Sequence, residues 1–309
     1  MTIYAVKAND SVTLEQLTIF VAVAEREHLT RAAEALHLSP SAVSAAVRAL
    51  EARYRVALFD RVGRGMVLSA PGRQFLPLAK AVIAEARRAE AALTEFGSFD
   101  RGEVVVQASQ TIANYWLPAR LARFRRRYPR IEIALQLGNT QTVARAVAEG
   151  QAELGFIEGA ITEPRLTVIT VASDRLVVVL PAAAPLAGSS MEENVLALDW
   201  IMREPGSGTR AMFEDGLRAL GLAPEKLKVA MTLPSNEAVL TAVRSSGNCA
   251  TALSEAVVAP FVARGDLAVI DLPLKPRDFV LLHHADRPLS RAAQALAAVC
   301  REPPEAALA

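Results

Sequence analysis

The sequence predicts an α+β chain in three parts: a compact helical head with a small β-wing, one long helix, and a C-terminal half of alternating strands and helices. Three observations carry this. Residues Thr30 to Glu51 read as two short helices joined by a tight turn. Residues 73–96 keep an apolar seam at spacings of three and four. From Glu103 onward, short β-branched runs alternate with amphipathic stretches, the pattern of repeated βα units.

In the head, a first helix is predicted over about Thr13 to Glu27, with Leu17, Phe20, Val21 and Ala24 at helical spacing. Thr30 is the expected N-cap of a second helix that turns Ala32, Ala33 and Leu36 inward. Ser39 caps a third helix, and Pro40 stands at its first position, where a missing N–H costs nothing. Val43, Ala46, Val47 and Leu50 form its expected buried stripe. The opposite side carries Ser41, Ala42, Ser44, Ala45 and Arg48. A helix with so slim a face can enter a groove, its hydroxyls can bond phosphates or base edges, and Arg48 can pair with guanine. Leu58 to Leu68 follows as a hairpin with a Gly63-Arg64-Gly65 tip. Between Arg48 and Arg73 stand Arg48, Arg53, Arg55, Arg61, Arg64 and Arg73 against Glu51 and Asp60. That local excess of cations suits a polyanion, although a plain three-helix bundle could carry the same basic face.

Formal net charge is only +1, so the cations matter by their concentration in the head. With 309 residues and 52% hydrophobic composition the chain can bury two or three cores. No stretch is long and apolar enough to span a bilayer. Residues 1–12 read as a flexible extension without a signal-peptide core, so a cytoplasmic protein without a membrane partner is expected. Cys249 and Cys300 are far apart and in no CxxC pattern, which fits reduced thiols in apolar surroundings.

The long helix is expected over about Arg73 to Phe96, without a breaker after Pro77. Its seam of Leu78, Val82, Ala86, Ala89 and Leu93 wants a partner helix. Gly97 to Gly102 then reads as a hinge. In the C-terminal half, strands are expected at 104–106, 131–137, 154–157, 176–180, 200–203, 250–253 and 279–283. Helices are expected at 111–128, 140–149, 209–220 and 235–244, and the repeats imply parallel sheets. Ligands in such sheets sit beyond the strand ends, at helix N-termini. Small polar groups gather at those ends: Ser109-Gln110-Thr111, Gly138-Asn139-Thr140, Glu158-Gly159, Arg203 to Arg210, and Pro234-Ser235-Asn236. Any one of these alone reads as an ordinary helix cap.

Residues 14–72 resemble the winged helix-turn-helix of LysR-type transcriptional regulators. The likeness is carried by Phe20, Ala32, Ala33, Ser39, Ala42, Ser44, Leu58, Phe59, Asp60 and Arg61. Pro40, where the family usually has Gln, and Ala45 and Ala46, where it has Arg or Gln, depart from the pattern. Base reading would then lean on Arg48, the wing and DNA shape. The resemblance implies a DNA-binding set of Arg31, Ser39, Ser41, Ala42, Ser44, Ala45, Arg48, Arg61 and Arg64. It implies a DNA-binding domain at 1–72, a linker and dimerisation helix at 73–102, and a two-lobed, periplasmic-binding-protein-like α/β effector domain at 103–309. Lobe one would be 103–172 with 275–309, and lobe two 173–274. A homodimer or homotetramer reading dyad-symmetric double-stranded DNA follows, with RNA polymerase as a further partner.

Asn114 to Pro118, Gly138 to Thr140, Gly155 to Gly159 and Arg203 to Arg210 resemble the sulfur-metabolism regulators within that family and, less closely, the regulators of carbon-fixation genes. The resemblance implies a small anionic effector, a sulfur oxyanion such as sulfite, held by Ser109, Gln110, Thr111, Asn139, Thr140, Glu158, Arg203, Ser207, Thr209, Arg210 and Ser235. Glu158 would repel a dianion unless it is protonated or turned toward an arginine. An organic carboxylate or carbon-fixation metabolite is the alternative.

Other features have plainer readings. The cations from Arg120 to Arg130 suit a helix C-terminus. His283 and His284 are neighbours on a strand and point to opposite faces, so no metal is expected. The Gly206-Ser207-Gly208 turn lacks the lysine of a nucleotide P-loop. Neither a cofactor nor catalytic residues are expected. Two rival classes remain: a solute-binding receptor, opposed by the helical head, and an enzyme fused to a DNA-binding domain, which turnover would reveal.

Overall fold

The computed structural model describes residues 11–62, 65–97, 102–184 and 191–303. The chain divides near residue 93 into two compact units.

The first unit begins with α1 (Leu14–Arg26), α2 (Leu29–Leu36) and α3 (Pro40–Tyr54). Thr13 and Gln16 close a capping box on α1, which satisfies two otherwise orphaned donors. The second helix starts earlier than expected. Its N-cap is His28, whose carbonyl accepts from the Ala32 amide, and Thr30 lies exposed in the first turn without capping. Leu29, packed on the core, sets that start. Ser39 does cap α3, accepting from the Ala42 amide at 3.2 Å, worth about 1 kcal/mol. Val43, Val47 and Leu50 are buried beneath α3, while Ala46 is half-buried. The centre is Phe20, whose ring lies 5.4 Å from Phe59 and 5.1 Å from Phe75.

Strands β1 (Phe59–Val62) and β2 (Gly65–Leu68) pair antiparallel as the wing. Helix α4 (Ala70–Gly97) follows, beginning before Arg73 and running through Pro77. The early start comes from Ser69. Its hydroxyl accepts from the Gly72 amide at 3.0 Å and donates to the Ala57 carbonyl at 2.7 Å. Gly72 has no room for a side chain, because a Cβ there would stand 2.0 Å from the Leu58 carbonyl oxygen.

The second unit holds two five-stranded sheets. In the first, the order is β4 (Ile131–Gly138), β3 (Gly102–Ser109), β5 (Leu154–Glu158), β12 (Arg277–His284), β6 (Leu166–Asp174). In the second it is β11 (Leu267–Ile270), β7 (Leu176–Pro181), β10 (Cys249–Ser254), β8 (Asp199–Arg203), β9 (Lys228–Leu233). The sheets are mixed, which corrects the expectation of purely parallel ones. Strands β3, β4 and β5 run parallel, as do β8, β9 and β10, whereas β12, β6, β7 and β11 pair antiparallel. Parallel neighbours need a helical crossover. No helix separates β6 from β7 or β11 from β12, and these are the points where the chain passes between sheets.

Helices α5 (Leu117–Arg127), α6 (Thr140–Ala148) and α11 (Arg291–Arg301) belong to the first lobe. Helices α7 (Met191–Ala197), α8 (Gly208–Ala219), α9 (Asn236–Ser245) and α10 (Glu255–Ala263) belong to the second. The helix expected from Thr111 to Tyr128 contains a π-helical turn at Ile112–Trp116 before α5. Pro118 accounts for it: the proline has no N–H to offer the carbonyl of Asn114, and the Leu117 amide reaches back to Ile112. Strands β6, β9 and β11 and helices α7, α10 and α11 are additions to the sequence reading.

Candidate functional site

The head presents α3 outward. Ser39, Ser41, Ala42, Ala45 and Arg48 are exposed and Ser44 is half-buried. Arg31 on α2 and Arg61 on β1 are exposed as well, and Arg64 lies outside the described residues. Two contacts tidy the face: Arg48 donates to the Ser44 hydroxyl at 2.9 Å, and the Ser39 and Ser41 hydroxyls lie 3.0 Å apart. Not every nearby cation is free to serve it. Arg53 donates to the Ser11 carbonyl at 2.6 Å and Arg73 to that of Leu68. Sequence reasoning counted Glu51 only as a charge. Its carboxylate accepts from the amides of Leu58 and Phe59 at 2.7 and 3.1 Å, which ties the wing to the helix it flanks. A carboxylate one residue beyond the buried Leu50, eight before a strand, was the available signal.

In the second unit, the strand ends of one lobe meet the helix starts of the other. Gln110 donates to the Pro234 carbonyl and accepts from the Asn236 amide. The Asn236 side chain donates to the Thr111 hydroxyl at 3.0 Å and accepts from Arg203. Asn139 donates to Glu204 at 3.3 Å, and the Gln141 amide donates to the Gly206 carbonyl. Gly208, the first residue of α8, faces Thr140 and Glu158 so closely that a Cβ would stand 2.3 Å from the Thr140 hydroxyl and 2.7 Å from the Glu158 carbonyl oxygen.

Of the eleven effector candidates, Ser109, Thr111, Thr140, Glu158, Arg203, Ser207 and Thr209 are buried. Burying that many polar groups together is costly unless each finds a partner. Most do. Ser207 and Ser235 cap α8 and α9. The Thr209 hydroxyl accepts from Arg277 at 3.0 Å. The Ser109 hydroxyl, 2% exposed, has no partner.

The two arginines expected to supply charge are already engaged. Arg203 grips Glu204 with two hydrogen bonds of 2.8 and 3.0 Å. Arg210 donates to Glu214 at 2.7 Å and to the Arg203 carbonyl. Sequence reasoning missed Arg277 and Asp174, and named Asn236 only as part of a polar helix start. Arg277 is fully buried and donates twice to Asp174, at 2.9 and 2.7 Å, while the Ser254 hydroxyl of the other lobe donates to the same carboxylate. This ion pair clips both points of passage between the sheets. Its one legible trace was a charge opening an apolar strand.

The basic run of α5 is spent within its own lobe. Arg120 stacks on Trp116, Arg125 donates to the Ile131 carbonyl, and Arg123 and Arg127 both pair with Glu302. The two arginines hold the Glu302 carboxyl below its ordinary range, Arg127 most strongly. His283 Nδ1 lies 3.0 Å from the His284 carbonyl oxygen. Among the described residues, no group of three metal-binding side chains gathers, and no helix is long and apolar enough to cross a membrane.

Comparison with known proteins is consistent across both units. Residues 14–73 match the family described as the bacterial regulatory helix-turn-helix protein, lysR family, and residues 97–303 match the LysR substrate binding domain. The uncharacterized HTH-type transcriptional regulator YeiE of Escherichia coli strain K12 is 39% identical over 290 residues, covering 91% of this chain and 94% of that protein. A probable RuBisCO transcriptional regulator of Synechocystis is 34% identical over 75% of this chain and 69% of its own length. The crystal structure of full-length CbnR with its target DNA superposes with a TM-score of 0.67 at 19% identity, over 94% of this chain and 99% of that one. At that identity the likeness concerns the fold.

Proposed function

Because the chain belongs to the LysR family of transcriptional regulators, we propose that it is a cytoplasmic, ligand-responsive regulator whose α3 reads dyad-symmetric promoter DNA and whose two lobes close on a small oxyanion. The observation that carries the DNA reading is the slim outer face of α3, with Ser41, Ala42 and Ala45 beside Arg48. Small side chains let the helix axis approach the base edges, and one long cation reaches further. The exposed seam of α4 supports pairing of two chains, as far as a homodimer or a dimer of dimers. RNA polymerase is a further partner of such a bound regulator.

For the effector, the reading is a sulfur oxyanion such as sulfite. Support comes from the gathering of buried hydroxyls with the N-terminus of α8, where the helix dipole favours negative charge. A ligand joining the lobes would favour one inter-lobe geometry, and it can shift that balance only by its differential affinity for the two states. A carbon-fixation metabolite is the second reading, favoured by the likeness to the RuBisCO regulator.

Two measurements test this. In promoter-shift assays across salt concentrations, Arg48→Ala should weaken binding to the preferred site by about 1–3 kcal/mol and relax sequence preference, whereas Arg64→Ala should mainly lower the salt slope. Unchanged affinity in both variants would refute the assigned face. Calorimetry with sulfite, sulfate, thiosulfate and simple carboxylates separates the effector readings, and heat from carboxylates alone would select the second.

A further inference from the structure

Thr209 lies in the first turn of α8 and is 1% exposed. Its hydroxyl accepts from the Arg277 guanidinium at 3.0 Å. A guanidinium has donors only, so this bond occupies a lone pair of the hydroxyl and leaves the proton unspent. No acceptor among the described residues takes that proton. Thr140, which lies against the adjacent Gly208, differs: its hydroxyl donates to the Glu158 carbonyl at 3.4 Å. A buried donor left as Thr209 is costly unless something outside the chain accepts from it.

Arg277 is itself held firmly. It opens β12, Asp174 closes β6, and the two face each other in the ladder between those strands. Nε and one terminal nitrogen of the guanidinium donate to the same Asp174 oxygen, at 2.9 and 2.7 Å. That fixes the guanidinium plane, and the other terminal nitrogen is the one that reaches Thr209. The second Asp174 oxygen accepts from Ser254 at 2.9 Å, so the carboxylate is anchored in the second lobe as well. The Arg277 and Asp174 side chains are 0% and 9% exposed. A threonine hydroxyl otherwise rotates to suit its surroundings. Here a fixed cation stands on one side of it, and the proton must turn away from that cation.

We propose that Arg277 is a positioning residue for the effector: by occupying the acceptor side of the Thr209 hydroxyl, it turns the Thr209 proton to the seam as a donor to an anionic ligand. The inference rests on the seam holding an oxyanion, as proposed above. Arg277 acts through Thr209 and does not itself touch the ligand. Donation from the cation also polarises the hydroxyl and strengthens it as a donor. The clip on Asp174 sits at the strand ends where the chain passes between the sheets, the places about which two lobes turn. The donor is therefore in place before the lobes close, and little orientational freedom is lost when the ligand binds.

The test is a double-mutant cycle in the full-length protein, read by calorimetric titration with sulfite, or with sulfate or acetate where one of those is what the wild-type chain binds. Thr209→Val removes the hydroxyl at nearly constant shape. Arg277→Lys keeps a charge against Asp174 but loses the planar fork that also reaches Thr209. Each single change should weaken anion binding about tenfold, the worth of one charge-assisted hydrogen bond. The double variant should bind no more weakly than either single one, because both changes remove the same donor. Thr209→Ser, which keeps the hydroxyl, should bind as the wild type does, and equal losses in the serine and valine variants overturn the proposal. Losses that multiply in the double variant would mean that Arg277 touches the ligand or shapes the seam at large, and the proposal falls. It falls also if a folded Arg277→Lys binds as tightly as wild type. Should Arg277→Lys fail to fold, Asp174→Asn takes its place in the cycle, since it loosens the same guanidinium. Thr209→Val leaves the ion pair intact, so wild-type affinity in that variant overturns the proposal without any change at Arg277. A wild-type chain that takes up none of the three anions refutes the oxyanion reading of the seam itself, an outcome distinct from a bound anion with multiplying losses.

Discussion

Single residues at junctions do work out of proportion to their number. Glu51 serves two wing amides at once. Glu51→Ala should destabilise the head by about 1–3 kcal/mol, because both donors lose their acceptor away from bulk water, and calorimetric melting would measure it. Preserved stability would mean that solvent replaces the carboxylate. Cys300 shows the opposite behaviour, a polar atom kept inert by burial. Its thiol is pushed up to about 12 from 9.0, burial being the larger influence and the nearby Arg120 and Arg123 opposing it. Native protein should therefore resist alkylation at Cys300 at pH 8, read by peptide mass spectrometry. A raised thiol value has a definite sign in linkage: its contribution to stability is full below about 9 and is lost as pH climbs through 12, since the unfolded chain releases that proton first.

Among the elements, α4 is the one whose sequence asks for something the single chain does not contain. Leu78, Val82 and Leu93 are 63%, 49% and 70% exposed along one seam. Burying such leucines against a second helix contributes about 1.5–3 kcal/mol each. Leu78→Glu combined with Leu93→Glu should give a monomer in sedimentation equilibrium and should weaken promoter binding with it. A dimer that survives both changes would place the pairing surface elsewhere. Strand β9 explains why some elements escaped the sequence reading. Lys228 to Thr232 are all exposed, so no buried stripe marks the strand, and pairing with β8 alone holds it at the sheet edge. Strand β6 did carry a β-branched signal in Thr167 to Val171, but its place beside β12 depends on residues more than a hundred positions later.

At the scale of the second unit, the lobes approach too closely for any side chain at Gly208. Gly208→Ala must push against the Thr140 hydroxyl and the Glu158 backbone, and the backbone contact cannot be relieved by a rotamer change. The variant should favour separated lobes, seen as an increased radius of gyration in solution scattering and as loss of oxyanion binding. Unaltered scattering and binding would mean that α8 can shift as a body. The clip of Arg277 on Asp174 acts at the same scale. A buried pair of this kind is worth little against apolar replacements but costs about 3–5 kcal/mol when one partner is removed, so it secures the two crossings more than it stabilises the lobes.

The sequence by itself determined the elements whose chemistry is local: the Ser39 cap with Pro40 behind it, the buried stripe of α3, the wing, and the apolar seam of α4. Each depends on residues within a few positions of one another, where propensity and periodicity act. Only the tertiary structure decided the mixed strand order, the clip of Arg277 on Asp174 and the meeting of Asn236 with Thr111. Those outcomes depend on which groups come to lie within hydrogen-bonding reach after folding. Asp174 and Arg277, like Thr111 and Asn236, stand more than a hundred residues apart, and no local pattern records such a meeting.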